Sequence, residues 1–65
     1  MHLKATWRNE LQDGIRVLLP EDRPTNRMEL GLYLEAFNDR IGHTIPLEEA
    51  CHELRGLLGF LDEPS

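Results

Sequence analysis

The sequence predicts an α+β fold in which an N-terminal β-hairpin packs on an antiparallel pair of α-helices. Two observations lead to this prediction. Apolar and polar residues alternate through much of residues 3–19, which is the period of half-buried strands. Beyond residue 25, apolar residues instead recur every three or four positions, which is the period of amphipathic helices. With 65 residues, the chain is expected to form a single small domain over residues 1–65.

The predicted hairpin turns at Gln12-Asp13-Gly14. A three-residue loop pairs Leu11 with Ile15 and Trp7 with Leu19, which brings nearly every apolar side chain to one face. The glycine suits the left-handed position that ends such a loop. Because an isolated two-stranded ribbon is only marginally stable, the hairpin must pack on the helices or pair with a second chain.

The same segment also fits an amphipathic helix, so a three-helix bundle is the alternative fold. Its apolar residues recur at helical spacing: Leu3, Trp7, Leu11, Ile15 and Leu18. Two features favour the hairpin over this helix. Gly14 would lie in mid-helix, at a cost of about 1 kcal/mol relative to alanine, and the run from Ile15 to Val17 has β propensity.

A helix is predicted over residues 26–41, after a connector at residues 20–24 that begins and ends with proline. Thr25 or Asn26 can cap this helix, because a short side-chain oxygen can accept a hydrogen bond from a free amide in the first turn. Glu29 lies three residues after Asn26, which is the spacing of a capping box. Gly42 suits the residue that follows a helix.

This helix is apolar on two sides. One side carries Leu30, Tyr33, Leu34, Phe37 and Ile41, and the other carries Met28, Leu32 and Ala36, bordered by Glu35 and Asp39. A helix of this kind needs two partners. We therefore expect dimerisation through the Met28 and Leu32 strip or through the hairpin edge. Trp7 and Tyr33 are further candidates for that interface, because each has a polar group that favours the surface.

The last helix is predicted over residues 46–58, with Pro46 in its first turn, where a missing amide donor has no cost. Its apolar stripe comprises Leu47, Ala50, Cys51, Leu54, Leu57, Leu58 and Leu61. The position of Cys51 within this stripe predicts a buried structural thiol rather than a reactive one.

Composition argues against several classes of function. A single cysteine favours a reducing, intracellular compartment, and we expect a cytoplasmic protein. No apolar run approaches the roughly 20 residues that cross a bilayer, and the first four residues lack the uninterrupted apolar stretch of a signal peptide, so we expect a soluble protein. The only serine is Ser65, and no glycine-rich phosphate loop follows a strand. We therefore expect no catalytic activity and no cofactor.

Charge points to a protein partner. The net charge is −5, and residues 28–65 carry two arginines against eight carboxylates. This imbalance disfavours direct binding to nucleic acid. It predicts a small acidic regulator or inhibitor that occupies a basic surface of a larger protein, such as a nucleic-acid-binding surface. The candidate contact residues are Glu35, Asp39, Glu48, Glu49 and Glu53.

Two other functions fit the sequence. The chain could be a structural or accessory subunit of a homo- or hetero-oligomer, in which case the second apolar strip matters and the acidic face does not. It could also form a metal-binding dimer, because Glu49 and His52 have the Glu-x-x-His spacing that puts a carboxylate and an imidazole on one helix face.

Overall fold

The structure is a computed structural model that describes residues 4–62, and within them it is all-α. Its helices are α1 (Ala5–Arg16), α2 (Arg27–Ile41) and α3 (Leu47–Glu53). Short 3-10 turns follow α1 and α3, at Pro20–Asp22 and Gly59–Asp62. The described part of the chain contains no strand, so the predicted α+β fold and its N-terminal hairpin are wrong, and the three-helix alternative fits.

The N-terminal segment is a helix, and the residues that it buries are spaced by four, as one face of a helix requires. Leu11 and Ile15 are completely buried, and Trp7 packs against the same core. The hairpin register required Val17 and Leu19 on the apolar face, yet they are 80% and 60% exposed. Leu3, the first residue of the predicted helical stripe, lies outside the described residues.

Gly14 lies in the interior of α1, where its low helix propensity favours a turn instead. The packing around Gly14 explains why α1 tolerates a glycine at this position. The hydroxyl of Tyr33, on α2, approaches so closely that a β-carbon at residue 14 would overlap it. The missing side chain therefore admits a tyrosine from another helix. This contact of Tyr33 with the backbone of α1 gives the glycine a packing role that its low helix propensity alone does not suggest.

The connector after α1 is tied back to that helix by one arginine. Arg23 donates from Nε to the Leu18 carbonyl at 3.3 Å and from Nη2 to the Arg16 carbonyl at 3.2 Å. These carbonyls belong to the last turn of α1 and the residues just after it, where backbone acceptors lack partners within the helix. The guanidinium therefore both ends α1 and fixes the direction of the chain toward α2.

The boundaries predicted for α2 are confirmed. Asn26 is the N-cap, and its Oδ1 accepts a hydrogen bond from the Glu29 amide at 2.9 Å. Glu29 in turn accepts from the Thr25 amide at 2.8 Å and from its hydroxyl at 2.7 Å. These donors hold the pKa of the Glu29 carboxyl below its ordinary value. Gly42 ends the helix with a left-handed φ of 68°.

The last helix is shorter than predicted. It was expected over residues 46–58, but α3 ends at Glu53, with Pro46 as its N-cap. Gly56 takes a left-handed φ of 85°, which breaks the helical path. The apolar residues beyond the end of α3 nevertheless reach the core, because the backbone continues in a tighter turn. The predicted burial of Cys51 is confirmed. Among residues 4–62, the core is formed by Leu11, Ile15, Leu30, Leu34, Phe37, Ile45, Ala50, Cys51, Leu54 and Leu58.

Candidate protein-binding face

The second apolar strip of α2 points away from the core. Met28 is 76% exposed, Leu32 is 65% exposed, and Ala36 is exposed as well. These three residues form one row with a spacing of four, and a parallel row beside it contains Gly31, Glu35 and Asp39. We call the six residues of these two rows the outer face of α2. It combines exposed apolar surface with two neighbouring carboxylates.

A groove runs beside this face. The outer face supplies one wall through all of its residues except Met28. The loop between α2 and α3 supplies the other wall through Gly42, His43 and Thr44, with Leu47 at the start of α3. The groove has a volume of about 1210 Å³ and is open to solvent. That is larger than the roughly 300–1,000 Å³ of typical small-molecule clefts. Its size and openness suit a segment of another protein better than a small ligand.

Asn38 holds the loop wall in place. Its Nδ2 donates to the Ile45 carbonyl at 3.1 Å, and its Oδ1 accepts from the Ile45 amide at 3.0 Å. One side chain on α2 thereby satisfies both polar groups of a backbone unit just before α3. The Ile45 side chain is buried in the core. The loop is therefore held both by its hydrogen bonds to Asn38 and by the packing of Ile45, and this wall of the groove is preformed.

The outer face has a negative charge without a local counter-ion. Within residues 4–62, neither Glu35 nor Asp39 takes part in an ion pair. The two arginines of α2 are directed elsewhere. Arg40 lies over the Phe37 ring at 5.1 Å, and Arg27 contacts the sulfur of Cys51 at 3.7 Å. The face therefore presents uncompensated carboxylates to a partner.

The three acidic candidates on α3 are placed differently. Glu48 is exposed, Glu49 is half-buried, and Glu53 is engaged within the chain, with its Oε2 3.9 Å from Nε of Arg8. The Glu53 carbonyl also accepts from Nε2 of Gln12 at 2.9 Å, which ties α3 to α1. None of the three α3 carboxylates lines the groove, whereas the two on α2 do.

Of the four residues predicted for an oligomer interface, only Met28 and Leu32 lie together in the open. Trp7 is half-buried and stacks on His43, with ring centroids 4.2 Å apart. Tyr33 packs against the core, and burial raises the pKa of its hydroxyl, an effect that the charge of Arg40 partly offsets. Both aromatic residues serve packing between the helices.

No metal site is assembled in the described chain. Within residues 4–62, no three His, Cys, Asp or Glu side chains converge closely enough to hold an ion. His52 is exposed and Glu49 half-buried on α3, while Cys51 between them is turned into the core. A metal site built on this pair would need ligands from a second chain.

Sequence reasoning missed two residues that shape the groove. Gly31 reads in the sequence as an ordinary interruption of a helix, and Asn38 reads as a solvated polar position. The partner of Asn38 is a backbone unit seven residues away, and no sequence pattern predicts that contact. Helical spacing, in contrast, correctly placed Glu35 and Asp39 along the border of the strip that contains Leu32.

Comparison of the chain with known protein families, with characterised proteins and with solved structures finds no match. In the part of the chain that the structure describes, no helix has both the length and the apolar character needed to cross a bilayer. The function of the chain is therefore inferred from the residues on its surface.

Proposed function

We propose that this chain is a small acidic regulator or inhibitor that binds a larger protein and covers a basic surface on it. The binding surface is the outer face of α2. One observation carries the proposal: exposed Leu32 lies beside Glu35, Asp39 follows Glu35 one turn further along the same face, and neither carboxylate has a counter-ion in residues 4–62. Exposed apolar surface with charge of one sign at its edge is typical of a protein-binding site.

The magnitudes assign different roles to the two parts of this surface. Complete burial of a leucine side chain contributes about 1.5–3 kcal/mol, so Leu32 and Met28 are expected to supply most of the affinity. An exposed ion pair contributes only about 0.2–1 kcal/mol. Glu35 and Asp39 therefore act mainly on the choice of partner and on the rate of association.

A second role, as an accessory subunit of an oligomer, is supported by the same exposed strip. It differs in one respect, because the apolar residues would then suffice and the carboxylates would be incidental. A homodimer is the simplest such assembly, but two outer faces brought together would oppose like charges. That charge argument is the reason we favour a basic partner.

The proposed role requires no catalytic group and no cofactor. It also fits a reducing compartment, and we place the protein in the cytoplasm. The single cysteine, Cys51, is buried, and the core is built from apolar contacts rather than from disulfides.

The test begins with affinity capture by the tagged chain from a lysate of its source organism, at low and moderate salt. A captured protein is then purified, and its binding to two variants is measured. Leu32→Glu places a charge in the apolar strip, and Glu35→Arg/Asp39→Arg reverses the acidic row. We expect Leu32→Glu to abolish binding and Glu35→Arg/Asp39→Arg to weaken it strongly, because the reversal replaces attraction to a basic partner with repulsion. We also expect salt to weaken the binding of the wild-type chain.

Matched controls lie outside the outer face. Val17→Glu introduces the same charge at an exposed apolar residue, and Glu10→Arg/Glu21→Arg changes the net charge by the same amount at exposed positions. Both controls should bind as the wild-type chain does. Loss of binding in Leu32→Glu alone would replace the regulator with the accessory subunit. Full binding by both outer-face variants would overturn the proposed site.

A further inference from the structure

Gly31 has no structural role that this chain explains. It lies in the interior of α2, where glycine is destabilising relative to alanine. A β-carbon at residue 31 would meet no atom within 4 Å, so nothing in the described chain requires its absence. At Gly14, the glycine of α1, a β-carbon would in contrast overlap the hydroxyl of Tyr33.

The position of Gly31 gives its absent side chain a consequence for binding. It follows Arg27 in the row that continues with Glu35 and Asp39, and it is the first residue of that row to line the groove, beside Leu32. A glycine at such a position removes the ridge that a side chain would form. The backbone of a partner can therefore approach α2 most closely at this point.

The groove suits a helix rather than a strand. Strand addition needs an exposed sheet edge, and residues 4–62 contain no strand. An amphipathic helix, in contrast, needs an apolar groove with anchors along one face. Leu32, Ala36 and Leu47 supply that apolar lining here.

The acidic row specifies the charge and spacing of the occupant. Glu35 and Asp39 are four residues apart, so their side chains are neighbours separated by one helical turn. Two basic residues one turn apart on a facing helix would match them. A second copy of this chain would instead bring its own two carboxylates to the same place, which is unfavourable.

We infer that the groove beside α2 binds an amphipathic helix of the partner, with a small residue against Gly31 and two basic residues, one turn apart, against Glu35 and Asp39. This inference rests on the proposed function and adds the form of the partner's contact. It makes Gly31 a specificity-determining residue that gives up helix stability in the free chain in return for a closer approach of the bound helix.

The test is a selection of peptides on the full chain, with Gly31→Ala as the key variant. The probe is a display library of helical peptides of about 18 residues, or five turns. Peptides enriched on the wild-type chain should carry Arg or Lys pairs one turn apart and a small residue on the same face. Gly31→Ala should bind those peptides about tenfold more weakly, although it should be the more stable protein.

Gly59→Ala is the matched control, because residue 59 also has open space at its β-carbon and lies outside the groove. It should bind the selected peptides as the wild-type chain does. Absence of enrichment, enrichment without paired basic residues, or equal binding by Gly31→Ala would overturn the inference. If Leu32→Glu still abolishes partner capture in that case, the proposed function stands and only the helical form of the contact fails.

Discussion

Substitution of Gly14 by alanine tests the contact between α1 and the Tyr33 side chain of α2. In an unobstructed helix, this change would stabilise the protein by about 1 kcal/mol. Here the new methyl group overlaps the hydroxyl of Tyr33. Overpacking of this kind costs about 1–3 kcal/mol. The net expectation for Gly14→Ala is therefore a loss of between about 0 and 2 kcal/mol in the free energy of unfolding.

The double variant Gly14→Ala/Tyr33→Phe separates the two effects. Without the hydroxyl, the new methyl group contacts the ring carbon Cζ at 3.7 Å, which is an ordinary van der Waals distance. Relative to Tyr33→Phe alone, the added alanine should then stabilise the protein by about 1 kcal/mol. The predicted coupling energy between the two positions is about 1–3 kcal/mol.

Urea unfolding of the wild-type chain and the three variants, followed by far-UV circular dichroism, gives the four free energies of this cycle. Thermal midpoints provide an independent reading, because 1 kcal/mol corresponds to about 4–8 °C in a domain of this size. If Gly14→Ala stabilised the protein by the same amount with and without the Tyr33 hydroxyl, the two residues would not be in contact. The packing of α1 on α2 described above would then be incorrect.

Three other substitutions test the core, the loop and the cap. Leu11→Ala should lower the free energy of unfolding by about 2–5 kcal/mol, whereas Val17→Ala, at an exposed position, should change it by less than about 0.5 kcal/mol. Asn38→Ala leaves two buried backbone groups without partners and should cost about 1–3 kcal/mol. Exposed Asn9→Ala is its control, and equal effects on unfolding at the two asparagines would refute the anchored loop. The lowered pKa of Glu29 means that its carboxylate stabilises the fold above the unfolded-state pKa and that this stabilisation is lost as the pH falls through the folded-state pKa. Glu29→Gln should therefore make the free energy of unfolding depend less on pH on the acid side. An unchanged pH dependence would contradict the hydrogen bonds between Thr25 and Glu29.

The sequence predicted α2 well and α1 poorly, for physical reasons that can be stated. The boundaries of α2 depend on local chemistry, namely the side-chain cap of Asn26 and the left-handed Gly42. In the N-terminal segment, the apolar residues fit periods of both 2 and 3.6, so that periodicity alone could not decide. Gly14 then favoured a turn, because the reason for its presence in a helix is a tyrosine 19 positions away in the sequence.

The candidate site was predictable to a similar extent. Helical spacing is enough to place Glu35 beside Leu32 and Asp39 beside Glu35, because residues three and four apart are neighbours on a helix surface. Two other features depend on packing between separate elements, and spacing along the chain does not reveal them. One is the engagement of Glu53 with Arg8, and the other is the loop wall that Asn38 holds.

Site-specific photo-crosslinking in cells that express the chain naturally tests most directly whether the outer face of α2 binds a larger protein. A photoreactive phenylalanine analogue replaces Leu32 in one variant and Val17 in another, since both side chains are exposed and only Leu32 belongs to the outer face of α2. We expect a covalent adduct with a larger protein from position 32 and none from position 17. Adducts of equal yield at both positions, or an adduct at position 32 with a second copy of this chain alone, would contradict this expectation.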